Sequence, residues 1–236
     1  MVSHKFQFKQ FTIFQDRCGM KVGTDGVILG TWTDIKSVDN ILDIGTGSGL
    51  IALILAQRSP AKIDAVEIDR DAYIQASENI ANSPWRSRLK IHHNSIQQYA
   101  DFCDIQYDLI ISNPPFFANA YKPNNHQIAL AKHSDSLSQI DILQVTTKLL
   151  KPTGKLAIIY PTAAAINFQD IAPTFGLYCD RQLLIKPTAT HSVKRIIMEL
   201  SKHQKPCQTH TLIIEKDRHI YSDEFIALIR DFYLKY

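Results

Sequence analysis

The run Asp43-Ile44-Gly45-Thr46-Gly47-Ser48-Gly49 constrains the fold more than any other stretch of this chain. It follows the short apolar run Asn40-Ile41-Leu42 and precedes an apolar stretch at positions 50–56. A strand that turns through glycines into a helix is a building unit of a parallel α/β sheet, and it leaves the turn at the strand's carboxyl end, where such sheets bind ligands. Strand patterns at 40–44, 63–67, 89–93, 108–112 and 155–160 alternate with helical patterns at 50–58, 71–81 and 138–150. That alternation is the βαβ signature. The helix at 50–58 is apolar on most sides and should be sandwiched. The helix at 71–81 opens on acidic residues, with Asp69 as its N-cap candidate. Lys151-Pro152-Thr153-Gly154 reads as a turn into the fifth strand.

After about Asp180 the rhythm changes. Positions 182–186, 193–200 and 211–215 read as strands with no full-length helices between them, which predicts an antiparallel addition at the sheet edge. A last helix at 223–234, with Ser222 as its cap, places Phe225, Ile226, Ile229 and Phe232 on one side. The length of 236 residues suits one domain. It divides into an N-terminal cap segment (1–38), a core (39–160) and a C-terminal part (161–236). The longest apolar run is far too short to cross a bilayer, and the first residues carry no apolar signal core. Cys18, Cys103, Cys179 and Cys207 are widely spaced with no C-x-x-C pair, which argues for reduced thiols in a cytoplasm and against a zinc site. His92 and His93 are neighbours on a strand and point to opposite faces, so they cannot chelate a metal together.

Net charge is only +3, but from Arg181 to Arg218 eight Lys or Arg stand against three acids. That surplus suits either a solvated face or an anionic partner. Lys194 and Arg195 are the candidate phosphate contacts.

The chemistry concentrates in two motifs. The glycines are spaced G-x-G-x-G, not in the dinucleotide pattern G-x-G-x-x-G, and no Gly-Lys-Ser/Thr follows. With Asp43 two positions before Gly45, the turn suits a ligand without phosphate, such as S-adenosylmethionine (SAM). Gly45, Gly47, Gly49 and Asp43 are its binding candidates. Glu67, 22 residues after Gly45, ends the second strand and can accept two ribose hydroxyls. The second motif is Asn113-Pro114-Pro115-Phe116, after the apolar strand at 107–112. Two prolines stop a strand and fix the backbone. An amide oxygen, a rigid Pro114 carbonyl and an aromatic face are thus held together. The set suits a planar group bearing an NH2.

Together these residues resemble the class I SAM-dependent methyltransferases with an N-P-P-F/Y motif. The segment Gly19-Met20-Lys21-Val22-Gly23-Thr24-Asp25-Gly26-Val27 narrows the resemblance to the tRNA1(Val) (adenine(37)-N6)-methyltransferases. It runs from about residue 11 to the last helix. The resemblance implies a Rossmann-like fold with a seven-stranded, mostly parallel sheet, an antiparallel edge and helices on both faces. It implies SAM as cofactor and the anticodon loop of a tRNA as partner, with no metal and no membrane, in a monomer or weak dimer. Asn113, Pro114 and Phe116 take the catalytic places, with Asn113 also touching the cofactor. Pro115, Phe116, Lys194 and Arg195 take the substrate side. Phe116 and the adjacent Phe117 cannot share a face, and Phe116 is the favoured stacker. The family often carries an acid after the third strand to hold the SAM adenine; this chain has Asn94 and Ser95, of which Ser95 is the candidate. In related enzymes the segment with Lys21, Thr24 and Asp25 lies near the methionine end of SAM and the target pocket. Methylation of guanine N2 in ribosomal RNA or of a protein glutamine amide also fits a planar NH2. A non-catalytic SAM- or RNA-binding module does not need the two acceptors, and a nicotinamide oxidoreductase is disfavoured by the glycine spacing.

Overall fold

The computed structural model describes residues 4–115 and 137–236. A hairpin, β1 (Lys5–Gln7) and β2 (Thr12–Phe14), leads into helix α1 (Thr24–Trp32). The alternation then runs β3 (Asn40–Ile44), α2 (Leu50–Arg58), β4 (Lys62–Glu67), α3 (Arg70–Ala81), β5 (Leu89–His93), α4 (Ile96–Phe102) and β6 (Tyr107–Ser112). It resumes with α5 (Gln139–Leu149), β7 (Leu150–Pro161) and α6 (Thr162–Ile171). The chain ends with β8 (Tyr178–Thr188), β9 (Arg195–Ser201), β10 (Gln208–Asp217), β11 (Ile220–Tyr221) and α7 (Asp223–Ile229).

Strands β3 to β11 form one sheet in the order β5-β4-β3-β6-β7-β9-β8-β10-β11. The first five of that order are mutually parallel. Strand β9 lies antiparallel between β7 and β8. The doubly wound α/β class holds, but the sheet has nine strands where the resemblance implied seven. Strand β10 also departs from the antiparallel expectation, because it runs parallel to β8. The reason is topological. Strand β9 occupies the inner side of β8, so the chain must pass β8 before pairing with its free edge. That passage is fastened by an ion pair from Lys205 to Asp180 (2.9 Å). Beside it the thiols of Cys179 and Cys207 come within 3.2 Å, a juxtaposition their spacing in the sequence conceals.

Apolar layers cover both faces of the sheet. One contains α1, α2, α7 and the hairpin; α4, α5 and α6 supply the other. Residues Leu50 to Ala56 of α2 are all buried, as a sandwiched helix requires. Asp69 caps α3 by accepting from the Ala72 N–H (2.8 Å), and Ser138 and Ser222 cap α5 and α7. The last helix is shorter than its pattern suggested, although Phe232 beyond it is still buried. The expected turn at Lys151-Pro152-Thr153-Gly154 is instead a bulge inside β7. Tyr107 faces Leu150 and Leu109 faces Lys155, so the intervening residues are accommodated while pairing with β6 continues. Gly154 is needed there, since a Cβ would stand 2.8 Å from the Tyr107 carbonyl oxygen.

Candidate active site

The strand order reverses between β3 and β6, and the crevice at such a point is where doubly wound sheets bind ligands. Ile44 and Ser112, the last residues of these strands, are register partners, and the Ser112 hydroxyl donates to the Ile44 carbonyl (2.9 Å). The glycine turn and Asn113 therefore leave the sheet side by side.

Gly45, Gly47 and Gly49 all have positive φ (68°, 58° and 83°). Their surroundings differ. A Cβ on Gly45 or Gly47 would meet nothing within 4 Å, whereas one on Gly49 would touch Ala76 of α3 at 3.6 Å. The first two border open space and the third lets α3 pack. Asp43 is fully buried and accepts from the Thr46 hydroxyl (2.6 Å). Burial pushes its carboxyl up to about 7, against the Thr46 and Ala52 hydrogen bonds, and the Glu67 charge adds to the rise. It braces the turn from below and presents no surface to the crevice.

Glu67 is nearly buried at the end of β4, with one oxygen accepting from the Gly47 N–H (2.8 Å) and the other from the Asp69 N–H (2.9 Å). It ties the turn to the next strand. Ser95 is the N-cap of α4 and forms a capping box with Gln98. Its hydroxyl accepts one bond there and retains a hydrogen and a lone pair.

Asn113 is half-buried, Pro114 is buried and Pro115 is exposed. The Asn113 Nδ2 atom lies beside Gly26, 3.8 Å from where a Cβ would stand. The N-terminal segment is thus brought to the motif. Phe116 and Phe117 lie outside the described residues.

The basic segment after Asp180 is mostly engaged within the protein. Arg181 lies 3.8 Å over Trp32 and pairs with buried Glu199 (2.9 Å), whose carboxyl is raised by burial. Lys186 and Lys202 donate to the Ala189 and Leu150 carbonyls, and Lys216 pairs with Asp223. Arg195 pairs with Asp25 (2.7 Å). Among the described residues only Lys194 and Arg218 of the eight lack such an ion pair or carbonyl bond.

Sequence reasoning missed two residues that build the site. Gln75 and Asn79 of α3 are buried. Asn79 exchanges hydrogen bonds with the Phe14 backbone (2.9 and 2.8 Å) and donates to the Ser48 carbonyl (2.8 Å). Gln75 accepts from the Arg17 N–H (3.2 Å). Two amides four apart, on the helix face that carries Ala72 and Ala76, were the available signal. They hold the N-terminal segment to the glycine turn. Cys18 is buried nearby, its thiol pushed up to about 11 by desolvation and then by the Glu67 charge.

The methyltransferase small domain family matches residues 26–176. The chain is 56% identical, over the whole of both sequences, to the tRNA1(Val) (adenine(37)-N6)-methyltransferase of Trichodesmium erythraeum. It is 46% identical, again over the whole of both, to the enzyme of that name from Parabacteroides distasonis. The chain belongs to this family. A predicted O-methyltransferase from Agrobacterium tumefaciens shares the fold at a TM-score of 0.66 and 16% identity, over 88% of this chain and 96% of that one. Family membership implies use of SAM. The residues present fit it: open space borders Gly45 and Gly47, and a carboxylate stands beside them. No cluster of His, Cys, Asp and Glu fit to hold a metal occurs among the described residues, and no helix there is long and apolar enough to cross a membrane.

Proposed function

We propose that this protein methylates N6 of adenine 37 in tRNA1(Val), with SAM bound between the glycine turn and Glu67. The observation that carries the site is the register pairing of Ile44 with Ser112, which sets Asn113 beside that turn. The relatives' names supply the tRNA and the position.

SAM supplies an electrophilic methyl on a sulfonium. Gly45 and Gly47 would admit its amino-acid end, Glu67 its ribose hydroxyls and Ser95 its adenine edge. Asn113 Oδ1 and the Pro114 carbonyl would each accept one hydrogen of the target amine. Its nitrogen lone pair is otherwise delocalised into the ring. Two fixed acceptors would favour the pyramidal nitrogen and leave its lone pair free to form an N–C bond to the methyl that SAM would supply as its C–S bond is given up. No strong base is needed, because the N–H becomes acidic only as that bond forms, and its proton leaves to solvent. Phe116 would stack on the target base and Pro115 would wall it. The base must leave its stack, which costs least in a single-stranded loop such as the anticodon loop. Lys194 would meet phosphates in the cytoplasm's tRNA, whereas Arg195 is taken up by its pair with Asp25.

The test is methyl transfer from radiolabelled SAM to unmodified tRNA transcripts, followed by nucleoside analysis. N6-methyladenosine is expected. N2-methylguanosine would favour the guanine-N2 reading, and the absence of any product would favour a binding module.

A further inference from the structure

We infer that Asp25 and Arg195 form a positioning pair that holds Asn113 in its working place, a role that rests on the proposed catalytic site. Arg195 opens β9 opposite Pro161, at the carboxyl end of β7, so its guanidinium stands at the rim of the crevice. Its Nε donates to Asp25 Oδ2 at 2.7 Å, and its Nη1 to the Lys194 carbonyl at 3.0 Å. Asp25 lies in the first turn of α1. The N-cap of that helix is Gly23, which offers no side-chain cap.

The next residue, Gly26, is the wall against which Asn113 rests. A Cβ at Gly26 would stand 3.2 Å from Leu50 and 3.8 Å from Asn113 Nδ2. One turn later a Cβ on Gly30 would stand 3.0 Å from Ile54, so α1 packs closely on α2 and a shift of its first turn is passed on to its neighbours. The first turn of α1 is thus a junction. It touches the residue after the glycine turn, it touches Asn113, and the Arg195 guanidinium fastens it to the sheet from outside. Releasing that tie lets the wall behind Asn113 shift. A displacement of about an ångström in a positioned group is enough to lower a rate on the order of 100-fold. The two side chains are 35% and 31% exposed. A pair in such contact with water adds little to folding, so its variants should fold.

This role differs from a phosphate contact, and the difference is measurable. Asp25→Asn, Arg195→Ala and the double variant are compared in single-turnover methylation at saturating tRNA and SAM. SAM affinity, tRNA affinity and melting temperature are measured alongside. Each single variant should lose at least tenfold in rate, with both affinities within twofold of wild type. The double variant should be no slower than the slower single, and the exchanged pair Asp25→Arg with Arg195→Asp should recover part of the loss. Unchanged rates in both singles would overturn the inference. So would losses that multiply in the double variant, or weakened tRNA binding in Arg195→Ala with Asp25→Asn silent. Asn113→Ala run in the same assay separates the two layers. If it is inactive while the pair variants are normal, only the positioning role fails; if it is active, the catalytic reading fails.

Discussion

Glu67 clasps the glycine turn and is proposed to hold the cofactor's ribose, and one substitution series can separate the two. In the protein alone its carboxylate accepts from the Gly47 and Asp69 N–H groups at 2.8 and 2.9 Å. Glu67→Gln turns one acceptor oxygen into an NH2, so one of those N–H groups then faces a donor. A hydrogen bond to a charged group is worth ~1.5–3 kcal/mol, and each kcal/mol moves the melting temperature of a chain this size by ~2–4 °C, so Glu67→Gln should lower it by roughly 3–12 °C. With cofactor the same carboxylate is proposed to accept ribose hydroxyls. Losing one such bond raises Kd by roughly 10–100-fold at ~1.4 kcal/mol per tenfold, and Glu67→Ala should lie at or above the upper end. A thermal melt without ligand reads the first duty, and calorimetric titration with SAM reads the second. A SAM Kd within twofold of wild type in folded Glu67→Ala would remove Glu67 from the site. An unchanged melting temperature in Glu67→Gln would refute its role as the clasp of the glycine turn.

Gly47→Ala places a Cβ in space empty of protein at a φ of 58°. It should cost only ~1–2 kcal/mol of stability for the left-handed backbone yet abolish measurable SAM binding in calorimetry; normal SAM affinity would show that the space beside Gly47 is not the cofactor's. Asp43 has its carboxyl at about 7 against an ordinary 3.8. The folded protein therefore keeps a proton that the unfolded chain has lost, and this site's contribution to stability falls as pH rises from about 4 to 7 and is constant above. Denaturant unfolding should show the stability difference between wild type and Asp43→Asn shifting across that window, and a difference independent of pH would contradict the raised value. Lys194→Ala should weaken tRNA binding and reduce the salt slope by about one, leaving SAM affinity alone; an unchanged slope would make Lys194 a solvated lysine.

The parts of the fold that the chain announces are local ones. Strands 40–44 and 89–93 lie where their apolar patterns end, and the caps Asp69 and Ser222 stand where short polar side chains precede helical runs. The glycine turn and the Asn113 motif are legible for the same reason, since each is a contiguous set of backbone demands. What is hidden depends on distant partners. The Pro152-Thr153-Gly154 run has turn chemistry, yet pairing with β6 at Leu150 and again at Lys155 keeps it within β7. Arg181 looks like surplus positive charge until Trp32 and Glu199 are placed around it. Arg195 looks like a phosphate contact until Asp25, 170 residues away, meets it. Gln75 and Asn79 go unmarked in the sequence because the backbone they hold belongs to the hairpin, the segment after it and the glycine turn. The edge direction of β10 follows from which side of β8 was already taken, which no local pattern encodes.

Asn113, set beside the glycine turn, is proposed to present an adenine amine from a single-stranded loop to SAM. Single-turnover methylation tests it most directly, with wild type and Asn113→Ala each given a tRNA1(Val) transcript, the same transcript with guanine at position 37, and a duplex holding the same sequence. Wild type should methylate only the first, and Asn113→Ala should lose most of that rate while its SAM affinity falls only modestly. Wild-type rates in Asn113→Ala, or equal methylation of the duplex or of the guanine-37 transcript, would contradict the account.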